Sequence, residues 1–399
     1  MNSFWLPLSL TLVVQILVSG ASLSAAVLAP VAAPDLGVSA ARVGFFVAAV
    51  YAVAATAGLA SGAFIQRFGA LGTLQLTLAS GALGQALIAV GTPWSVALAA
   101  IACGISLGPT TPATSVILVG KAQPANRNLV FSLKQTGVPG GFTLAALLFP
   151  ALALSFGWRG AAGVAAVALA ATALALVPFR KTFNAGRSAA PRLSVQAQLV
   201  APVRRVWTSP EMRRLAVSSL TYSGLQGALA GYLVVFLTHD TTLDLVAAAG
   251  ILAAAQATGV VGRVVWGIVA DRSGRPDRVL ALLGLAMALF GAFVGLAAPY
   301  LAYPVLVLAC VLFGGTAMAW NGVYLAEVAR IVPPERVGEA TGATGMFTFG
   351  GVAIVPGLFA VIVLFFDSYA AGYLLAAALP AASGIALLQA ARAKGISSP

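Results

Sequence analysis

Ionic chemistry is scarce in this chain. Only 8% of its 399 residues are charged, 22 basic against 10 acidic, and it holds one histidine and two cysteines. Cys103 and Cys310 lie in apolar stretches of different halves without His or Asp neighbours, so neither a disulfide nor a metal pair is expected of them. No ATP-binding loop, cluster of metal ligands or Ser/His/Asp set is present, which argues against an enzyme and gives no reason to expect a cofactor. The longest polar stretch, about residues 180 to 214, is too short for a soluble nucleic-acid-binding domain despite the net charge of +12.

What the chain has in abundance is apolar length: 60% hydrophobic residues and a mean hydropathy of +0.99. Lipid is the solvent such a composition requires. A spanning helix needs about 20 apolar residues, and breaks between apolar runs give about twelve spans. In the first half they fall near 5–29, 43–65, 71–91, 95–119, 129–154 and 158–178. The second half gives 215–238, 246–269, 278–298, 302–331, 338–364 and 368–391. Helices are predicted because lipid offers backbone amides no partner and no period-two alternation suggests a barrel. The first run resembles a secretory signal in position, but it lacks a basic leader and many spans follow, so an uncleaved helix is expected.

The charges follow membrane sidedness. Arg67, Lys121, Arg127, Lys134, Arg180, Lys181, Arg187, Arg192, Arg204, Arg205, Arg213 and Arg214 fall at alternate connections, continued by Arg272, Arg275, Arg278, Arg330, Arg336, Arg392 and Lys394. Opposite connections hold Arg42 and Arg159 with Asp35, Asp240, Asp244 and Asp367. Short basic loops stay in the cytoplasm, so both termini are predicted there. Richness in Ala, Gly and Val suits a bacterial inner membrane.

The halves echo each other. Gly267-Ile-Val-Ala-Asp271-Arg272-Ser-Gly274-Arg275 joins two apolar runs, and Gly62-Ala-Phe-Ile-Gln66-Arg67-Phe-Gly69 occupies the same place 205 residues earlier. Lys121, Pro124 and Arg127 recur 209 residues later as Arg330, Pro333 and Arg336, and Gly140-Gly141 recurs as Gly350-Gly351. Three echoes at nearly one period predict an internal duplication. The resulting division is an N-terminal six-helix bundle over 1–179, a cytoplasmic linker over 180–214, solvated and lying on anionic lipid, and a C-terminal six-helix bundle over 215–399.

Gly267, Asp271, Arg272, Gly274 and Arg275 resemble the loop signature of the major facilitator superfamily of secondary transporters. The first copy departs from it, with Gln66 where Asp is usual and Ala70 where a basic residue is common. The resemblance implies an all-α membrane protein of twelve transmembrane helices in two pseudo-symmetric six-helix bundles. It also implies alternating access, a midplane site lined by the first, fourth, seventh and tenth helices, and monomeric function. Asp271 can accept backbone amides or a basic partner in one state only, so Gly267, Asp271, Arg272, Gly274, Arg275 and Arg67 are predicted to take part in gating.

Polar groups at membrane depth are costly and therefore usually have a task. Arg263 lies eight residues before Asp271, roughly 12 Å inside the span. It is either an anion ligand or a partner for Asp271 or a carbonyl. Arg263-Val-Val-Trp-Gly267 is similar to the eighth helix of monocarboxylate and oxalate transporters, which implies substrate contact for this arginine. Lys134, roughly 10 Å into the fifth span, is read either as a substrate or gating group or as a lipid-interface lysine. Glu327 is either a coupling-proton carrier or, in a cytoplasmic gate, the ion-pair partner of Arg330 or of a basic residue of the other bundle. Gln15, Ser19, Thr111, Tyr222, Gln226, Trp320, Asn321 and Tyr324 complete a predicted substrate-binding set with Arg263 and Lys134, offering hydrogen bonds and an aromatic side. These residues predict a secondary transporter of a small organic anion, a carboxylate, by proton symport or anion exchange. A proton-coupled exporter of drugs or metabolites is the alternative, which an acidic cavity would favour.

Overall fold

A computed structural model describes residues 5–38, 43–183 and 195–396. Arg42, Arg187, Pro191 and Arg192, and the side chain of Lys394, lie outside the described residues. Among the described residues there is no strand. The helices are α1 (Trp5–Asp35), α2 (Val43–Leu59), α3 (Ser61–Phe68), α4 (Ala70–Val90), α5 (Pro93–Val119), α6 (Arg127–Gln135), α7 (Gly137–Ala175) and α8 (Arg180–Phe183). They continue as α9 (Val195–Thr208), α10 (Pro210–Asp240), α11 (Leu245–Ser273), α12 (Pro276–Ala297), α13 (Tyr303–Ala317), α14 (Asn321–Ile331), α15 (Val337–Phe366) and α16 (Tyr369–Ile396).

Among the described residues, ten helical runs are long and apolar enough to span, and α2 with α3, bent by 58°, makes an eleventh. The twelfth hides inside α7. At 39 residues α7 would be about 58 Å long, nearly twice a hydrocarbon core of about 30 Å. Gly157 breaks it with φ 69° and ψ 166°, a conformation that a side chain would strain. Two spans therefore lie on either side of residue 157, where the sequence places its fifth and sixth. The outer faces are apolar: Leu154 is 90% exposed and Leu364 80%. That would be a liability in water and is ordinary in lipid.

Two compact units are defined by their internal packing. One comprises Met1–Ala122, Lys134–Val206 and Val332–Met346; the other comprises Gln123–Leu133, Trp207–Ile331 and Phe347–Pro399. In the first, α1 packs on α7 and α4 on α5 and α7, around Leu71, Leu74, Leu78, Val14 and Val18. In the second, α12 packs on α16 and α11 on α13.

Small residues set the closest approaches, as van der Waals packing in lipid favours. A side chain on Gly141 would strike the Ile16 carbonyl, and one on Gly351 would strike the Leu220 carbonyl. Gly141 and Gly351 are the echoed glycines, 210 residues apart, and the carbonyls they meet are 204 residues apart. The segment read as a solvated linker contains a helix, α9, whose Arg205 donates to Glu339 near the start of α15 (2.6 Å).

Candidate functional site

The tenth span is broken where the sequence shows only an apolar run. α13 ends at Ala317 and α14 begins at Asn321, so carbonyls near residues 315 to 318 lose their helical partners. Two side chains of α11, one turn apart, take them. The Trp266 indole donates to the Gly315 carbonyl (3.0 Å), and Arg263 Nε donates to the Met318 carbonyl (2.8 Å). A cation at the C-terminal end of a half-helix is favourably placed against its dipole. Gly259 and Gly262 bring the helices this close, since a Cβ on Gly262 would come within 2.6 Å of the Gly315 carbonyl oxygen.

Arg263 is 3% exposed, so its charge is held away from lipid. Its bond to Met318 uses Nε. Asp271 is occupied elsewhere. Of the two structural partners foreseen for Arg263, the carbonyl is the one observed.

Just past the break, Trp320 stands edge-on to Tyr222 (5.6 Å between centroids) and to Tyr324 (5.3 Å). Its indole donates to Gln226 Oε1 (3.1 Å), fixing the ring. Tyr222 is fully buried, donates its hydroxyl to the Leu280 carbonyl (3.0 Å) and crosses Gly284. It backs Trp320 and faces α12. Asn321, at the start of α14, has a buried Oδ1 without a hydrogen-bond partner among the described residues.

In the other unit, Gln15 links the first and fourth spans. Its Nε2 donates to Ser19 Oγ (3.2 Å) and its Oε1 accepts from Thr111 (3.4 Å). Lys134 is completely buried and donates to Gln135 Oε1 (2.8 Å), which overturns the lipid-interface alternative for this lysine. Gly137 lets the fifth span lie against Gln15, 2.9 Å from its Cβ to the position of an added carbon.

Asp271 caps a helix that belongs to the first sequence half. Its Oδ1 accepts from the Asn128 backbone (3.0 Å) and side-chain amide (2.7 Å), and its Oδ2 accepts from the Leu129 backbone amide (2.9 Å). These are orphan N–H groups in the first turn of α6, where a carboxylate also meets the positive end of the dipole. Gly267 is required by the same contact, because a Cβ there would lie 2.7 Å from Ser132 Oγ and 3.1 Å from Leu129 Cα. Gly274 ends α11 in the left-handed region at φ 62°. Arg272 and Arg275 are exposed, as is Arg67, whose guanidinium lies 5.4 Å from the Phe68 ring centre.

The first-half copy is built otherwise. Gly62 packs against Glu339, which stands 210 residues after Leu129 and so occupies the turn that Asp271 caps in the other copy. Here the carboxylate sits on the capped helix itself, and Arg205 and Arg336 face it. Glu327 is 3% exposed and forms a two-point ion pair with Arg330, Nε to Oε2 at 2.7 Å and Nη2 to Oε1 at 2.5 Å.

Sequence reasoning passed over Asn128, Trp266, Arg205 and Glu339. Only Glu339 left a signal: an acid in the echoed turn, opposite the loop copy that lacks one.

Long apolar helices, some of them broken, small-residue crossings and buried polar side chains define a polytopic helical membrane protein. The Major Facilitator Superfamily profile matches residues 10–356, and the chain belongs to that family. A gallate transporter of Pseudomonas putida is 27% identical over 285 residues, which are 64% of this chain and 63% of that protein's length. Among solved structures, the fucose:proton symporter of E. coli superposes with a TM-score of 0.76 at 16% identity, covering 98% of this chain and 99% of that one. The human organic anion transporter MFSD10 superposes equally well, at 16% identity over 97% and 100% of the two chains. At such identities these structures speak for the fold.

Proposed function

We propose that this multi-pass membrane protein is a secondary transporter of small organic carboxylates, with aromatic acids such as gallate the first to test. Buried Arg263 carries the reading. A guanidinium is charged at every working pH, and Arg263 is bonded to Met318, two residues before Trp320 in the chain, so a carboxylate bearing a ring has a charge partner and an aromatic set in the same stretch of the tenth span. The distant gallate transporter supports the same substrate class. In this reading Arg263 binds the carboxylate, while Trp320 and Tyr324, steadied by Tyr222 and Gln226, meet the ring, with Asn321 as a further hydrogen-bonding group. Gln15, Ser19, Thr111 and Lys134 belong to the substrate path. The protein works by alternating access between 1–179 and 215–399, joined by 180–214. It sits in a bacterial inner membrane as a monomer, with both termini cytoplasmic.

Asp271, with Gly267 and Gly274, holds the start of α6 in one conformational state. Glu327 and Arg330 hold each other, so coupling by anion exchange or by a proton carried elsewhere fits better than a proton on Glu327. Thermal-shift measurement on the purified protein tests the substrate class, since a ligand at 100 times its Kd adds about 2.7 kcal/mol to the folded state. Gallate, benzoate and short aliphatic acids are expected to raise Tm, while neutral sugars and cationic dyes are not. Stabilisation by cationic dyes alone would overturn the proposal in favour of a drug exporter.

A further inference from the structure

An open cleft lies between the first turns of α1 and the end of α7. Its open volume is ≈ 490 Å³, and Leu6, Leu10, Val13, Ala175, Leu176 and Phe179 form most of its lining. We propose that it binds one acyl chain of an anionic phospholipid, whose phosphate is taken by Arg180 and Lys181.

The lining selects hydrocarbon. Its two hydroxyls are already satisfied within their own helices: Ser9 donates to the Trp5 carbonyl (2.8 Å) and Thr172 to the Ala168 carbonyl (2.8 Å). The occupant therefore meets no donor that a sugar or ordered water would need. From Leu6 to Val14 the groove runs about 12 Å along α1, close to the ~15 Å depth of one leaflet. Leu10, Val14 and Leu176 form a buried floor, while Leu6 and Val13 are 45% and 47% exposed at its sides.

The mouth selects the headgroup. Trp5, 66% exposed, marks the interfacial level as amphipathic aromatic rings do. Arg180 and Lys181 follow Phe179 directly and are exposed there. Arg180 is steadied by Gln75, whose side-chain carbonyl accepts from its Nε and whose amide donates to the Ala173 carbonyl (2.9 Å). Gln75 is itself buried, so this is a built support with part of the arginine's conformational freedom already removed. Neither α4, α8 nor the stretch 160–183 contains an Asp or Glu, and the acid of α1, Asp35, is at its far end. Two cations beside an acid-free hydrocarbon groove match an anionic lipid phosphate.

Delipidated protein in detergent is titrated with phosphatidylglycerol, phosphatidylcholine or inorganic phosphate, reading Tm and lipid retained in native mass spectrometry. Phosphatidylglycerol should raise Tm saturably and be retained in preference to phosphatidylcholine. The double variant R180Q/K181Q should weaken its retention about 30-fold, at ~1 kcal/mol per cation near the surface. Ala175→Trp, which fills the groove and keeps both cations, should displace the lipid without removing the charges. Equal retention of the two lipids would reduce the cleft to ordinary annular contact and overturn the proposal. So would a Tm rise reproduced by phosphate alone, or undiminished retention in both variants.

Discussion

Arg263 and Glu327 share a depth of burial and differ in what surrounds them. Glu327 is bonded at both oxygens to Arg330, a neighbour one turn away on its own helix. Arg263 is held by a carbonyl at a helix break. A carboxylate committed to a guanidinium on both sides is a poor carrier for a cycling proton. Glu327→Gln is therefore expected to lower the transport rate while leaving the pH profile of uptake in its wild-type shape, checked by initial rates across pH 5–8. A flattened profile would make Glu327 the proton carrier. Arg263 and Glu327 were legible in the sequence because charge inside an apolar run stands out. The contacts of Tyr222 were not: its bond to the Leu280 carbonyl across Gly284 joins positions 58 residues apart, which spacing along one span does not reveal. Lys134 was ambiguous for a related reason, since spacing gives depth along a helix and not the side of the helix that faces lipid.

At the scale of elements, the repeated loop acts through the helix it caps. Asp271 satisfies two first-turn amides of α6 and the Asn128 side chain, and Gly267 gives α6 the room to approach. Removing a capping carboxylate costs about 1–2 kcal/mol, so Asp271→Ala should speed hydrogen exchange at Asn128 and Leu129 about 5- to 30-fold. Unchanged protection of those amides would show that the cap contributes nothing to holding α6. Span edges were mostly legible, to within several residues, from Gly, Pro and charge at the connections. The break between α13 and α14 was not. Met318-Ala319-Trp320 carries no proline or glycine, and its orphaned carbonyls are satisfied from α11, a contact distant in sequence. The kink at Gly157 was legible through length, because no single span needs that many residues.

At the scale of the whole molecule, the repeated sequence features pack in ways that partly match and partly differ. Gly141 against Ile16 and Gly351 against Leu220 preserve one crossing in both copies, whereas the loop copies exchange the placement of acid and base around Glu339 and Asp271. The central claim is that Arg263 recognises a carboxylate. Uptake of labelled gallate and benzoate into proteoliposomes, comparing wild type with Arg263→Lys and Arg263→Ala at matched reconstitution, tests it most directly. Loss of a buried, hydrogen-bonded charge partner costs about 2–5 kcal/mol, so Arg263→Ala should reduce carboxylate uptake at least ~30-fold, with Arg263→Lys only partly restoring it. Wild-type uptake by Arg263→Ala, or carboxylate uptake by no form of the protein, would contradict the account.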